Sequence, residues 1–354
     1  MVLSMYVFMA SPMYAYVERL TRQRLEDGRM KNVSVLDGAE DSAGTPDAEE
    51  TAPPAAESEE LRAAMAEASP AAAPAACAQD APAAETDIPA LSVTVSDSGE
   101  KEIRETTIEG GLAIKNQTGY KTDIGELLLN GPGLTLPAGQ PQILVIHTHS
   151  SEAYTPAGLD KYEASDDSRT EDTQYNIVRV GDELCAIFEG AGLNVIHDRG
   201  IYDYPSYTGS YTRSGQAIED WLTKYPSIRM VIDVHRDALG ENGTVYKTMA
   251  EEDGVCASQV MILIGTDESG LAHSAWRGNL ALAMYLQQAV STAHPTLMRP
   301  VQLVPQRYNQ HLTPGSMILE VGSSGNTLQE ALAAVRLFAQ PAAGALTALV
   351  EQGG

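Results

Sequence analysis

From residue 141 onward the apolar positions change their period again and again. "QILVIHTH" begins with an unbroken apolar run, Ile143 to Ile146, which predicts a strand buried on both faces. "YNIVRVGDELCAIFEGAGL" then sets Ile177, Val180, Leu184, Ile187 and Phe188 at helical spacing, and Gly190 and Gly192 stop the helix. "NVIHD" predicts a second strand, "RSGQAIEDWLTKYP" a helix closed by Pro226, and "RMVIDVHRD" a third strand. "GTVYKTMAEEDGVCASQVMILIG" predicts a hairpin turning at Asp253 and Gly254. A long helix ("WRGNLALAMYLQQAVSTAHP"), a last strand ("SMILEVGSSGN") and a helix kinked or broken at Pro341 complete the pattern. This alternation implies an α/β domain over 141–354, a mixed or mostly parallel sheet flanked by helices. Sites in such sheets lie beyond the carboxyl ends of strands.

The chain before residue 141 has other patterns. Residues 1–17, "MVLSMYVFMASPMYAYV", carry no charge and approach the length of a membrane span. Two readings stand: an uncleaved signal-anchor or a buried apolar N-terminus. Residues 1–36 are accordingly assigned to an anchor and a juxtamembrane helix. Residues 37–90 are Ala, Pro, Glu, Asp and Ser, too poor in large apolar groups to offset the entropy of ordering, and read as a disordered linker. Such a tether favours the anchor reading, because a tethered domain needs reach. Residues 91–140, with "LSVTVSD" and "TTIEGGLAIKNQTGYKTDIGELL", predict a small β-rich lead-in.

Charge changes the picture in one respect. The net charge of −25 argues against nucleic acid as a partner, which would require Lys and Arg patches. Residues 37–105 hold 17 Asp and Glu against 3 Lys and Arg, about −14 of the −25, so more than half of the acidity belongs to this one tract and not to a site. The three cysteines, Cys77, Cys185 and Cys256, form neither a metal motif nor a disulfide framework. Cys185 sits among apolar helix positions; a Cys185–Cys256 bond is open but not demanded.

Candidate chemistry gathers at strand ends. The first strand ends in His147, His149 and Glu152, the third in His235, Arg236 and Asp237, and the last carries Glu320 between Leu319 and Val321. In an extended chain residues i and i+2 point the same way, so the rings of His147 and His149 are expected to share one site. A glutamate inside an apolar strand needs a partner. Histidine and carboxylate without cysteine suit a catalytic zinc with three protein ligands, and a further carboxylate then serves as base. His197, His273, His294 and His311 read as ordinary packing or surface histidines, with substrate contact as the alternative for His197.

"ILVIHTHSSEAYTP", "YNIVRVGDEL", "VIHDRGIYDYPSYTGSYTRS", "VIDVHRDA" and "RPVQLVPQRYNQHLTPGSMILEVGSSGNTLQEA" together closely resemble the stage II sporulation protein P family, over about residues 141–340. The resemblance implies a zinc amidase-like fold and a cell-wall hydrolase that thins septal peptidoglycan during engulfment. The implied activity is that of a zinc-dependent N-acetylmuramoyl-L-alanine amidase, with cross-link endopeptidase activity beside it. It implies work outside the cytoplasm, in the septal space between mother cell and forespore, with stage II sporulation proteins D and M at the membrane. "DVHRDA" is similar to the ligand motif of the wider zinc amidases, which assigns a ligand to His235, with Asp237 where an Asn is usual. "LEVGSSGN" is similar to their catalytic motif, which assigns the base to Glu320 and a loop position to Asn326. Their "HGG" is replaced by "HTHSSE", so zinc falls to His147 or His149, with Glu152 preferred over Glu171 as the carboxylate ligand. The set taken forward is zinc on His147, Glu152 and His235, Glu320 as base, and His149 stabilising the oxyanion. Tyr207 and Tyr211 are expected to stack on substrate, and Arg213, Arg299 and Arg307 to pair with stem-peptide carboxylates, with Asn326 beside them. The competing readings are a wall-binding scaffold without catalysis and a zinc peptidase or deacetylase of wall material.

Overall fold

The computed structural model describes residues 102–106 and 112–351, except 159, 161–163, 165–167, 242–243 and 253. The elements run β1 (Glu102–Thr106), β2 (Ile114–Asn116), α1 (Ile124–Asn130), β3 (Ile143–Ile146), α2 (Ile177–Gly190), β4 (Val195–His197), α3 (Ser210–Lys224) and β5 (Met230–Asp237). They continue as β6 (Gly240–Glu241), β7 (Thr244–Thr248), β8 (Ala250–Glu252), β9 (Val255–Ala257), β10 (Val260–Gly265), α4 (Trp276–Ala293), β11 (Val301–Val304), β12 (Met317–Ser323) and α5 (Leu328–Thr347). The main sheet has seven strands in the order β2-β11-β10-β12-β5-β3-β4. Its pairs are parallel except β10 with β12, so two parallel blocks meet at one antiparallel seam. The expected α/β class with a mostly parallel sheet is therefore present. β3, β5 and β12 are adjacent and parallel, which brings their carboxyl ends to one edge.

Alternation along these strands sorts side chains between two cores. Ile143, Val145, Met230, Ile232, Val234, Met317, Leu319 and Val321 face the larger core, built with α2, α4 and α5. Leu144, Ile146 and Val231 face the other side, where Ile218 of α3 packs on them. By the same parity His147 belongs to the side of α2, whereas Asp233 and His235 belong to the side of α3. Ile318 packs with Tyr308, Leu263 and Val304, and Glu320, two residues on, shares its face.

The long helices form where their apolar periods put them. Asn176 caps α2 through its side chain, and Ile177, Val180, Leu184 and Phe188 are fully buried. α5 starts with a reciprocal capping box between Thr327 and Glu330. It then runs through Pro341 without the break that was one of the two expected alternatives. Burial of Phe338, Ala339, Ala342, Ala343 and Leu346 on both sides of Pro341 outweighs the roughly 3 kcal/mol an interior proline costs. The hairpin forms as β8 and β9, with Gly254 left-handed at φ +78° in its turn.

One feature differs from expectation before residue 141. A short helix, α1, stands where strand was expected, capped by Asp123, which accepts from Glu126 N. β2, within the expected lead-in, pairs with β11 as an edge strand of the main sheet. Cys185 is a free, buried thiol, so the Cys185–Cys256 bond left open by the sequence is not formed. The expected anchor and linker, 1–90, lie outside the described residues. Among the described residues no helix is long and apolar enough to cross a membrane.

Candidate metal centre

The extended conformation of β3 ends at Ile146, and this separates the two histidines that follow. His147 keeps the strand's parity and is fully buried on the side of α2. Its Nδ1 lies 3.0 Å from Val234 O and its Nε2 lies 2.9 Å from His197 Nε2. A carbonyl only accepts, so the His147 proton sits on Nδ1. Burial, then the charge of His197, lowers the His147 pKa to about 3 and keeps the ring neutral. Gly181 of α2 is pressed on this pair: a Cβ there would stand 2.5 Å from His147 Nε2.

Residues 148–151 are a turn, closed by Glu152 N donating to His149 O at 3.1 Å, and it carries His149 to the opposite side. There His149 Nδ1 lies 3.3 Å from Glu152 Oε1, and His235 Nδ1 lies 3.5 Å from Glu152 Oε2. One donor atom each from His149, Glu152 and His235 falls within 4.8 Å of the others, and all three residues are buried. Burial resists ionisation of Glu152, but hydrogen bonding from His149 and His235 outweighs it and holds the carboxyl well below its usual range. Arg236 N also donates to Glu152 Oε2 at 3.1 Å.

Glu320 stands directly beside His235 in the β5–β12 register. The register slips immediately afterwards, between Glu320 and Ser323, where Gly322 adopts φ +69°. Such a bulge re-aims the side chains next to it. Glu320 is partly exposed, but its Oε2 is sealed from solvent and has no hydrogen-bond partner; the same holds for His149 Nε2. A buried unmet polar group costs about 1–3 kcal/mol, so this centre carries unused donor capacity. Two imidazoles and one carboxylate, without sulfur, fit a three-ligand catalytic zinc set.

The other expected site residues fall into two groups. Tyr207 and Tyr211 do reach the centre, with ring centroids 4.6 Å and 5.4 Å from that of His149. Tyr207 is exposed and Arg169 lies over its ring. Four residues are otherwise employed. Arg213 spends its guanidinium on the carbonyls of Tyr202, Ser206 and Thr208, clasping its own loop. Arg299 is buried and paired with Asp237 at 2.7 Å. Arg307 donates to Ala272 O and is not among the groups that contact His149, Glu152 or His235. Asn326 is fully buried; its amide bonds Ser323 N, Thr248 N, Thr248 O and Glu330 Oε2, which leaves nothing for a substrate. Glu171 is exposed and outside the cluster.

Sequence reasoning missed Asp233 and Arg169. Asp233 contacts His235 Nε2 at 2.9 Å. Its signal was available: an aspartate two residues before a histidine in an apolar strand must share that histidine's face. Arg169 reaches Asp203, Ser151 and the Glu152 carboxylate. It arrives through a bridge between residues 152 and 169 that no local pattern announces.

Residues 49–342 match the profile of the family described as Stage II sporulation protein P (SpoIIP). The chain belongs to that family. Stage II sporulation protein P of Bacillus subtilis (strain 168) is 25% identical over 203 residues, covering 53% of this chain and 47% of the relative. The chain thus spans about half the length of the curated relative it matches. Among solved structures, N-acetylmuramoyl-L-alanine amidase AmiC2 of Nostoc punctiforme is 12% identical, with a TM-score of 0.35, over 59% of this chain and 97% of that one. The catalytic domain of CwlV, an N-acetylmuramoyl-L-alanine amidase from Bacillus (Paenibacillus) polymyxa, is 13% identical, with a TM-score of 0.33, over 59% and 95%. In this member of the sporulation protein P family His235 and Glu320 stand side by side, and His149 and Glu152 cluster with His235.

Proposed function

We propose that this chain is a peptidoglycan hydrolase of sporulation, a zinc-dependent enzyme that cleaves the amide between the glycan's lactyl group and L-alanine. Family membership supports the class of substrate. The observation that carries the chemistry is the convergence of His149, Glu152 and His235 beside Glu320. The ligand set is therefore His149, Glu152 and His235, with His149 in the place first given to His147. When bound there, zinc would supply the positive charge that acidifies water and polarises the scissile carbonyl.

The chain's own residues supply the proton transfers. Glu320 accepts the proton of the attacking water at a carboxylate oxygen and returns it to the leaving amine nitrogen. Burial, then the neighbouring Asp237 carboxylate, raises the Glu320 pKa to about 8 while His235 opposes, so near neutral pH the carboxyl can both take up and give back a proton. Tyr207, exposed above His149, offers a ring for sugar or peptide to stack on. The reading extends to cross-link endopeptidase activity, membrane attachment through 1–36, action in the septal space during engulfment, and stage II sporulation proteins D and M as partners.

Chelation should abolish muropeptide release from purified walls and added zinc should restore it; full activity in metal-free protein would overturn the reading. Glu320→Gln should bind zinc as the wild type does and lose about 10²–10⁴-fold in turnover. Mass analysis of the digest identifies the bond: free glycan with intact stem peptides is expected, and exclusive cross-link cleavage would replace the amidase assignment.

A further inference from the structure

Asp233 belongs to none of the roles assigned above, yet it touches His235 and the first residue of the turn that carries His149. It is buried on β5, two residues before His235 and on the same face. Its Oδ1 lies 2.9 Å from His235 Nε2, an ion-pair contact rather than a straight hydrogen bond. The same Oδ1 accepts from Thr148 N at 2.8 Å, and Oδ2 accepts from Thr148 Oγ1 at 2.6 Å. Thr148 immediately precedes His149 and opens the turn that carries it across the sheet edge. Thr148 Oγ1 is braced in turn by Ser214 Oγ of α3 at 2.7 Å.

Each ring nitrogen of His235 thus faces a carboxylate, Nε2 toward Asp233 and Nδ1 toward Glu152 at 3.5 Å. Asp233 takes the Nε2 side at the shorter distance, which leaves Nδ1 as the nitrogen turned into the centre. We propose that Asp233 is a positioning residue that holds both histidine arms at once, presenting His235 through Nδ1 and fixing the turn that presents His149. The inference rests on the zinc reading above and adds which atom His235 offers and what aims it. A carboxylate two residues upstream on one strand is suited to this, because strand geometry fixes its distance from the ring while its two oxygens reach the turn.

The test uses the full chain and reads zinc binding, not hydrolysis. Competition titration against a chromophoric chelator should show Asp233→Asn weakened about 10- to 100-fold, the usual cost of losing an outer carboxylate partner. Thr148→Val keeps the Asp233–His235 contact and loses only the hydroxyl arm, so it should weaken binding less. Should Asp233→Asn fail to fold, Thr148→Val decides: a loss above twofold with an unchanged melting temperature supports the proposal, and no loss overturns it. Nitrogen-15 spectra of the zinc-loaded wild type should place the His235 proton on Nε2; a proton on Nδ1 overturns the proposal, as does Asp233→Asn binding zinc within twofold of wild type. A wild type that binds no zinc would instead refute the centre itself, so the two failures are distinguishable.

Discussion

His147 and His149 are two residues apart in sequence and end on opposite sides of the sheet edge. His147 is committed twice, to Val234 O and to His197, and is fully buried. His149 has one nitrogen near Glu152 and one without a partner. Substitutions should therefore separate them. His149→Ala should weaken zinc binding by two orders of magnitude or more while folding normally, since it removes one of three ligands. His147→Asn, whose amide still donates to Val234 O, should bind zinc stoichiometrically and melt lower, by about 1–3 kcal/mol, because His197 loses its partner. Metal analysis after dialysis, read beside thermal melts, checks both; the reverse pattern would return the ligand role to His147. The sequence placed both rings together because it carried period-2 alternation past Ile146. The turn at 148–151 breaks that period, and "THSS" contains neither the Gly nor the Pro that usually announces one.

At the level of elements, α2 and α5 pack side by side over one face of the sheet and are clamped by charge. Arg336 Nε of α5 donates to Glu183 Oε1 of α2 at 2.7 Å, and Arg179 Nη2 of α2 donates to Oε2 at 3.1 Å. Burial favours the neutral form of Glu183, but Arg336, then Arg179, outweighs it and lowers the pKa from 4.5. A carboxylate depressed in the folded state stabilises above its unfolded pKa, and that stability is lost as pH falls through the folded value. Glu183→Gln should therefore cost about 0.5–1 kcal/mol at pH 7, the worth of a partly exposed pair. The gap from wild type should close as acid takes the pH well below 4.5. Urea melts across that range would count against the clamp if the gap stayed constant. These long helices were legible because their apolar stripes extend over several turns. β11 was not: its four residues lie between Pro300 and Pro305, which punctuate the run as a loop would. α1, with seven residues and no buried side chain, offered no apolar stripe either.

The whole molecule is organised by the seam between β12 and β10. The strands before the seam end where those after it begin, so one edge of the sheet collects the carboxyl ends of β3, β5 and β12 together with the amino ends of β10 and β11. Single strands were visible in the sequence, but this reversal was not, because pairing direction depends on contacts across about 60 residues or more. It decides the fate of two arginines that look equivalent in "RPVQLVPQR". Arg299 precedes β11 and donates from its backbone to Val260 O at the first residue of β10, on the edge of the centre. Arg307 follows β11 and ties itself to Ala272 O beyond the other end of β10. Arg299→Ala should strand the Asp237 carboxylate next to Glu320, cost about 3 kcal/mol, and depress hydrolysis with it. Arg307→Ala should leave kcat and KM on stem-peptide muropeptides within about twofold of wild type, since only groups at the catalytic edge can grip the scissile region. Steady-state kinetics on the two variants tests the topology directly. A tenfold rise in KM for Arg307→Ala would mean that substrate spans the face between both edges, along the loop where Tyr308 meets Tyr211 at 5.3 Å.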